Sequence, residues 1–321
     1  MINNKRRQFL ASSAGVAALG LTGQFAFLPS AQAADVRKKG FYSYKIGDIE
    51  VISIYDGVWQ NSGFGGIAVD VSEDQVKGAL SKAGLTTEHI PIEFAFTVVK
   101  TGGKTILLDA GTGGQLAPTA GLAAKGGFAA AGINPDSVDT IMISHMHPDH
   151  IFGLMEKDTN TQVFPNAELV VSETEYNFWT DPAIIEKLPE QRQGLAKRIQ
   201  ATFPEWKNVT RFNGEKELAP GIRAVESFGH SPGHVSFHIS SGDDELLLIG
   251  DAIIVPALFL ANLDWQLAFD ADKAQATATR KSIVEQAIAD NTTIGGYHFG
   301  FPNAGKIEKD GADHVFVPAT V

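Results

Sequence analysis

From position 144 to 150 the chain reads Ser-His-Met-His-Pro-Asp-His, and this heptapeptide, with three imidazoles and one carboxylate, constrains the fold more than any other stretch. It follows the apolar run 140–144, so it lies where a strand ends and its loop can turn several side chains towards one point. Imidazole nitrogens mixed with carboxylate oxygens suit a borderline cation such as zinc. Pro148 stops the strand and removes a backbone donor, which lets His145 and His147 diverge from Asp149 and His150 towards two different ions. Four side chains cannot complete two coordination shells, so further ligands are expected downstream. Three places offer them: the turn Gly229-His230-Ser231-Pro232-Gly233-His234, the pair Gly250-Asp251 after an apolar run, and Gly295-Gly296-Tyr297-His298. Each adjoins a strand-like run, and strand ends are where sites gather in open α/β sheets.

Short β-rich runs alternate with helical stretches. Segments 49–55, 94–100, 105–109, 140–144, 169–172, 222–226, 235–239 and 245–249 read as strands, several apolar throughout and so buried on both faces. Segments 73–83, 184–202 and 271–289 read as helices. Gly102-Gly103 between two strand runs is a two-residue hairpin signal. The Gly- and Ala-rich stretch 111–132 reads as a loop with one short helix. The pattern is that of an α/β layered fold in one domain, 34–321.

Residues 1–33 read as an export signal. Lys5-Arg6-Arg7-Gln8-Phe9-Leu10 precedes a mildly apolar run and then Ala31-Gln32-Ala33, and the paired arginines favour the twin-arginine route to the periplasm or exterior. No later run is long enough for a spanning helix, so no stable membrane insertion is expected after the signal is removed. The chain has no cysteine, which excludes disulfides and thiolate chemistry. Its formal charge is −11, and the first 33 residues hold three basic and no acidic side chains, leaving about −14 on the rest. Nucleic acid is therefore not an expected partner, and a small neutral substrate fits better than a polyanion.

The H-x-H-x-D-H motif, the later Pro-Gly-His turn, the strand ending in Gly-Asp and the final Gly-x-His together resemble the metallo-β-lactamase superfamily. Within it, the chain is most similar to the branch containing methyl parathion hydrolase and its lactonase relatives. Leu108-Asp109-Ala110-Gly111-Thr112-Gly113 and His298-Phe299-Gly300-Phe301-Pro302 add to the likeness. The resemblance implies a four-layer αββα sandwich and two divalent metal ions, zinc being the expected pair. It also implies that His145, His147 and His234 bind one ion, that Asp149, His150 and His298 bind the other, and that Asp251 bridges them. His230 is expected to support the ligands without being one, Asp109 to order neighbouring loops, His238 to be a strand side chain, and His89 and His314 to lie on the surface.

Two cations 3.5–4 Å apart would make a shared water nucleophilic near neutral pH. Asp149 and Asp251 would orient it, and Asp251 would take up a proton. No serine nucleophile elbow is read in the chain, so hydrolysis should be metal-driven. The expected substrates are neutral esters: organophosphate triesters, aryl esters or lactones, with acyl-homoserine lactones as the alternative. The resemblance places Trp179 over the metals, while Phe178, Pro256, Phe259, Leu260 and Trp265 read more simply as core or contact residues. Leu116 stands where methyl parathion hydrolase carries a phenylalanine, which argues against an organophosphate preference. A di-iron redox protein would need a glutamate in the first motif and a flavin domain, and a non-catalytic metal-binding protein would show a damaged ligand set. Dimerisation is common among similar enzymes, which allows a homodimer.

Overall fold

Successive residues of a strand face opposite ways, and here both faces are apolar, so each strand feeds two cores. The computed structural model describes residues 36–311 and 313–318; the export signal expected at 1–33 lies outside them. Val51, Val99, Ile106, Leu108, Met142 and Val170 pack between two sheets against Ala224, Val235, Phe237, Ile239 and Leu246. Their chain neighbours Ile52, Val98, Leu107, Ile141 and Val171 join a second core shared with helices. Full burial of each such side chain contributes roughly 1.5–3 kcal/mol.

Strand order follows chain order in each half. The first sheet runs β1 (Phe41–Ile46), β2 (Ile49–Asn61), β3 (Ile90–Thr101), β4 (Lys104–Leu108), β5 (Thr140–Ile143), β6 (Glu168–Ser172) and β7 (Val209–Phe212). The second runs β8 (Lys216–Ala219), β9 (Ile222–Glu226), β10 (Val235–Ser241), β11 (Asp244–Leu248), β12 (Thr293–Gly295), β13 (Ala304–Asp310) and β14 (Asp313–Pro318). Pairing is antiparallel from β1 to β4 and parallel from β4 to β7. In the second sheet only β11–β12 is parallel. Gly102 and Gly103 join β3 to β4 with φ of 57° and 75°, the two positive values a tight hairpin requires.

The helices include α1 (Glu73–Lys82), α2 (Pro148–Ile151), α3 (Glu173–Thr180), α4 (Glu190–Thr202) and α5 (Lys273–Ala289), with single turns at Phe128–Ala130 and Pro256–Phe259. Ser72 and Gln75 close a capping box on α1, and Asp272 accepts from the Gln275 N–H at the start of α5. The expected single helix over 184–202 is instead two pieces, a 3-10 turn at Pro182–Lys187 and then α4. Pro189 separates them, because it lacks the N–H that would continue a helix and pushes Leu188 to extended backbone. Phe178 and Trp179 lie on α3. Helices outside two packed sheets make the expected four-layer α/β sandwich. Among the described residues no helix is long and apolar enough to cross a membrane.

Candidate metal centre

The ends of β4, β5, β6, β11 and β12 and the turn between β9 and β10 carry the candidate residues. His145, His147 and His230 form one group; Asp149, His150, Asp251 and His298 form another, and within each group the ligating atoms lie within 4.8 Å of one another. His147 Nδ1 is 2.9 Å from both His145 Nε2 and His230 Nε2. In the second group Asp149 Oδ2 is 3.5 Å from His150 Nε2 and 3.3 Å from His298 Nε2. Pro148 separates the groups by opening α2, which turns Asp149 and His150 away from His147. Asp251 faces both: Oδ1 is 3.2 Å from His150 Nε2, and Oδ2 lies 3.2 Å from His298, 3.4 Å from His230 and 3.9 Å from His145.

His234 does not reach either group. It is fully buried and spends both ring nitrogens on structure: Nδ1 meets Ser227 Oγ at 2.8 Å and its carbonyl at 3.0 Å, while Nε2 accepts the Asp251 N–H at 3.1 Å. His230, expected only to support the ligands, occupies the place given to His234. Its Nδ1 is held 2.8 Å from Asp270 Oδ1, which leaves Nε2 directed at His147.

The donor set fits two cations, and the orientation of the rings shows why. His150 Nδ1 donates to Asp109 Oδ2 at 2.8 Å, His298 Nδ1 to the Glu93 carbonyl at 2.7 Å, and His145 Nδ1 lies 3.1 Å from Ser144 Oγ. Each outward nitrogen thus has an acceptor, so the inward Nε2 is the one left for a cation, which takes the place of any proton there, the arrangement metal-ligating histidines show. His150 Nε2 and Asp251 Oδ1 are buried with no hydrogen-bond partner, a costly state that a cation between them removes. Asp109, with φ of 63°, also accepts from the Ser144 N–H and Oγ, both at 2.8 Å, so it orders the motif as expected.

Electrostatics divide the groups. Burial and the neighbouring imidazoles hold His145 and His147 well below the usual histidine range, so both stay neutral. Burial also opposes charge on His298 and His150, but the Asp251 and Asp149 carboxylates outweigh it, raising His298 to about 9 and His150 well above its normal value. Burial likewise opposes the Asp251 carboxylate, and His298 and His150 outweigh it, keeping Asp251 ionised.

Glu175 escaped sequence reasoning. Fully buried on α3, it accepts from the Met146 N–H at 2.9 Å and Trp179 Nε1 at 2.8 Å through Oε1. Through Oε2 it accepts from Ser231 Oγ at 2.6 Å and the Gly233 N–H at 2.9 Å, tying together the two loops that carry His147 and His230. Gly229-His230-Ser231-Pro232-Gly233 does match a Gly-x-Ser-x-Gly spacing. Yet Ser231 is buried against Glu175 in a turn between antiparallel strands, so it is not an exposed nucleophile on a strand-to-helix elbow.

A cavity of about 460 Å³ opens over both groups, with His147, Asp149, His230, Asp251 and His298 in its floor and Trp59, Phe94, Leu116, Leu195, Ile254 and Phe269 in its walls. Trp179 does not line it: the indole packs edge-on behind His147, ring centres 5.9 Å apart, fixed by Glu175. It faces a neighbouring cavity of about 780 Å³ with Phe178. Phe259 and Leu260 are core, and Trp265 packs against it. His238 pairs with Glu245 on the adjacent strand.

Comparison with known proteins places this geometry. The profile of the metallo-beta-lactamase superfamily matches residues 95–298. An N-acyl homoserine lactonase of Bacillus thuringiensis is 26% identical over 156 residues, 47% of this chain and 54% of the relative. The lactonase AiiB of Agrobacterium fabrum is 29% identical over 126 residues, 38% of this chain and 42% of the relative. The chain thus spans about half the length, or less, of these curated relatives. Among solved structures, AidC, a dizinc quorum-quenching lactonase in complex with a product acyl-homoserine, superposes with a TM-score of 0.82 at 26% identity, covering 88% of this chain and 98% of AidC. The hydrolase AbOPH gives 0.78 at 25% identity, covering 87% and 97%. The chain belongs to the metallo-beta-lactamase superfamily.

Proposed function

We propose that the protein is a binuclear zinc hydrolase that opens N-acyl homoserine lactones. The observation that carries this reading is the cavity with largely apolar walls seated over two ligand groups that Asp251 faces on both sides. His145, His147 and His230 would hold one ion, and Asp149, His150 and His298 the other, with Asp251 between them. Ions bound there supply Lewis acidity and lower the pKa of water to near neutrality. Asp149 and Asp251 orient the attacking water, and Asp251 accepts its proton for delivery to the departing ring oxygen. The apolar walls exclude bulk water and receive an acyl chain, and Asp270 and Asp109 hold His230 and His150 in the ring orientation the shells need. The likeness to lactonases in sequence and in fold supports lactones over the wider set of neutral esters. Export at residues 1–33 would put the enzyme where diffusible lactones are met.

The test is turnover by metal-loaded protein of an N-acyl homoserine lactone, an aryl ester and a methyl phosphotriester. The lactone should have the highest kcat/KM, and chelation should abolish all activity. Absence of lactone turnover in protein carrying two metals per chain overturns the proposal.

A further inference from the structure

Above its ligand groups the cavity is apolar in its walls except at Gln191 and Arg192. Arg192, third residue of α4, is the one lysine or arginine lining it among the described residues. Its Nη2 donates to the Phe269 carbonyl at 2.8 Å. That is the one hydrogen bond its side chain makes to the protein among the described residues, so most of its five guanidinium N–H donors have no protein partner. The guanidinium also borders the neighbouring cavity beside Trp179, so it stands between the two spaces, next to His147 and His230. Burial lowers its pKa from the usual arginine value and Asp270 works the other way, but arginine remains a cation at any physiological pH. A partly desolvated cation with unspent donors in an apolar chamber binds an acceptor oxygen strongly.

We propose that Arg192 is the specificity-determining donor of this site, taking the amide carbonyl that an N-acyl lactone carries outside its ring. The inference rests on the lactonase reading and deepens it: the floor meets the ring carbonyl, the walls meet the acyl chain, and Arg192 reads the group between them. A lactone with an equally long alkyl chain but no amide fills the same walls and offers Arg192 nothing.

The experiment compares the metal-loaded wild type with Arg192→Met and Arg192→Lys on N-hexanoyl homoserine lactone and on γ-decalactone. Loss of a charge-assisted hydrogen bond should raise KM for the acyl-amide substrate about tenfold or more with kcat within about threefold, and leave KM for γ-decalactone within about twofold. Arg192→Lys, which restores a cation and keeps the fold under least strain, should recover part of the loss. Equal rises of KM on both lactones, or loss of bound metal, overturn the inference, because Arg192 then acts only by holding the Phe269–Asp270 loop behind His230. Unchanged KM on both also overturns it. A wild type that opens neither lactone refutes the lactonase reading itself, and this inference with it.

Discussion

His230 and His234 stand four residues apart in one turn, and replacing each by alanine separates a ligand from a strut. His230→Ala removes one of three converging nitrogens, leaving His145 Nε2, His147 Nδ1 and one oxygen of Asp251 to hold an ion. Loss of a partner that merely orients a ligand weakens metal binding 10–100-fold, so loss of the ligand itself should cost at least about 100-fold, or about 2.7 kcal/mol. The purified variant should then carry about one metal per chain, and kcat/KM should fall by about 100-fold or more. His234→Ala acts elsewhere. It strands the fully buried Asp251 N–H, at roughly 1–3 kcal/mol, takes one of two partners from the Ser227 hydroxyl, which keeps Ser236 Oγ, and leaves a cavity as well. A loss of about 3–5 kcal/mol should lower Tm by roughly 10 °C, with two metals retained in the folded protein. The assay is metal content by mass spectrometry after dialysis, with a thermal melt on the same sample. One metal in His234→Ala and two in His230→Ala would refute the assignment.

Other outcomes follow from the same geometry. Asp270→Asn replaces the carboxylate 2.8 Å from His230 Nδ1 and should weaken metal binding about tenfold in a competitive chelator titration. Glu175→Gln cannot accept from all four of its donors, so two buried donors lose their partner, and Tm should fall by roughly 5–15 °C. In metal-free protein His298 keeps its proton up to about 9, because Asp251 and Asp149 outweigh its burial. A metal must displace that proton, so affinity should climb with pH from 7 and level off above about 9. Calorimetry in buffers of different ionisation enthalpy should show proton release at pH 7, and none would contradict the assignment.

How far the site was legible in the sequence depends on whether each decision is local. His145, His147, Asp149 and His150 are positioned by the end of one buried strand and a proline, all within seven residues, and the pattern alone placed them. Strands β2, β3, β5 and β11 were legible because they are apolar for two cores, whereas β7 and β8 are short and largely exposed, with Thr210, Arg211, Lys216 and Glu217 breaking the pattern. The turn at 229–234 presents two histidines with equal claims by spacing. What decides between them is distant: Asp270, forty residues on, grips His230, and the Asp251 amide takes His234. Gly233 adds a steric reason, since a Cβ there would lie 2.2 Å from the Glu175 nitrogen, so α3 seats against this turn and fixes which ring faces inward. Trp179 was misplaced for the same cause. Its hydrogen bond to Glu175 draws the indole behind His147, and Trp59 and Phe269, far apart in sequence but stacked 6.5 Å between ring centres, supply the cavity wall instead. A single buried carboxylate with four donors therefore settles both the metal loops and the shape of the chamber above them, and no local pattern around an isolated glutamate can announce that.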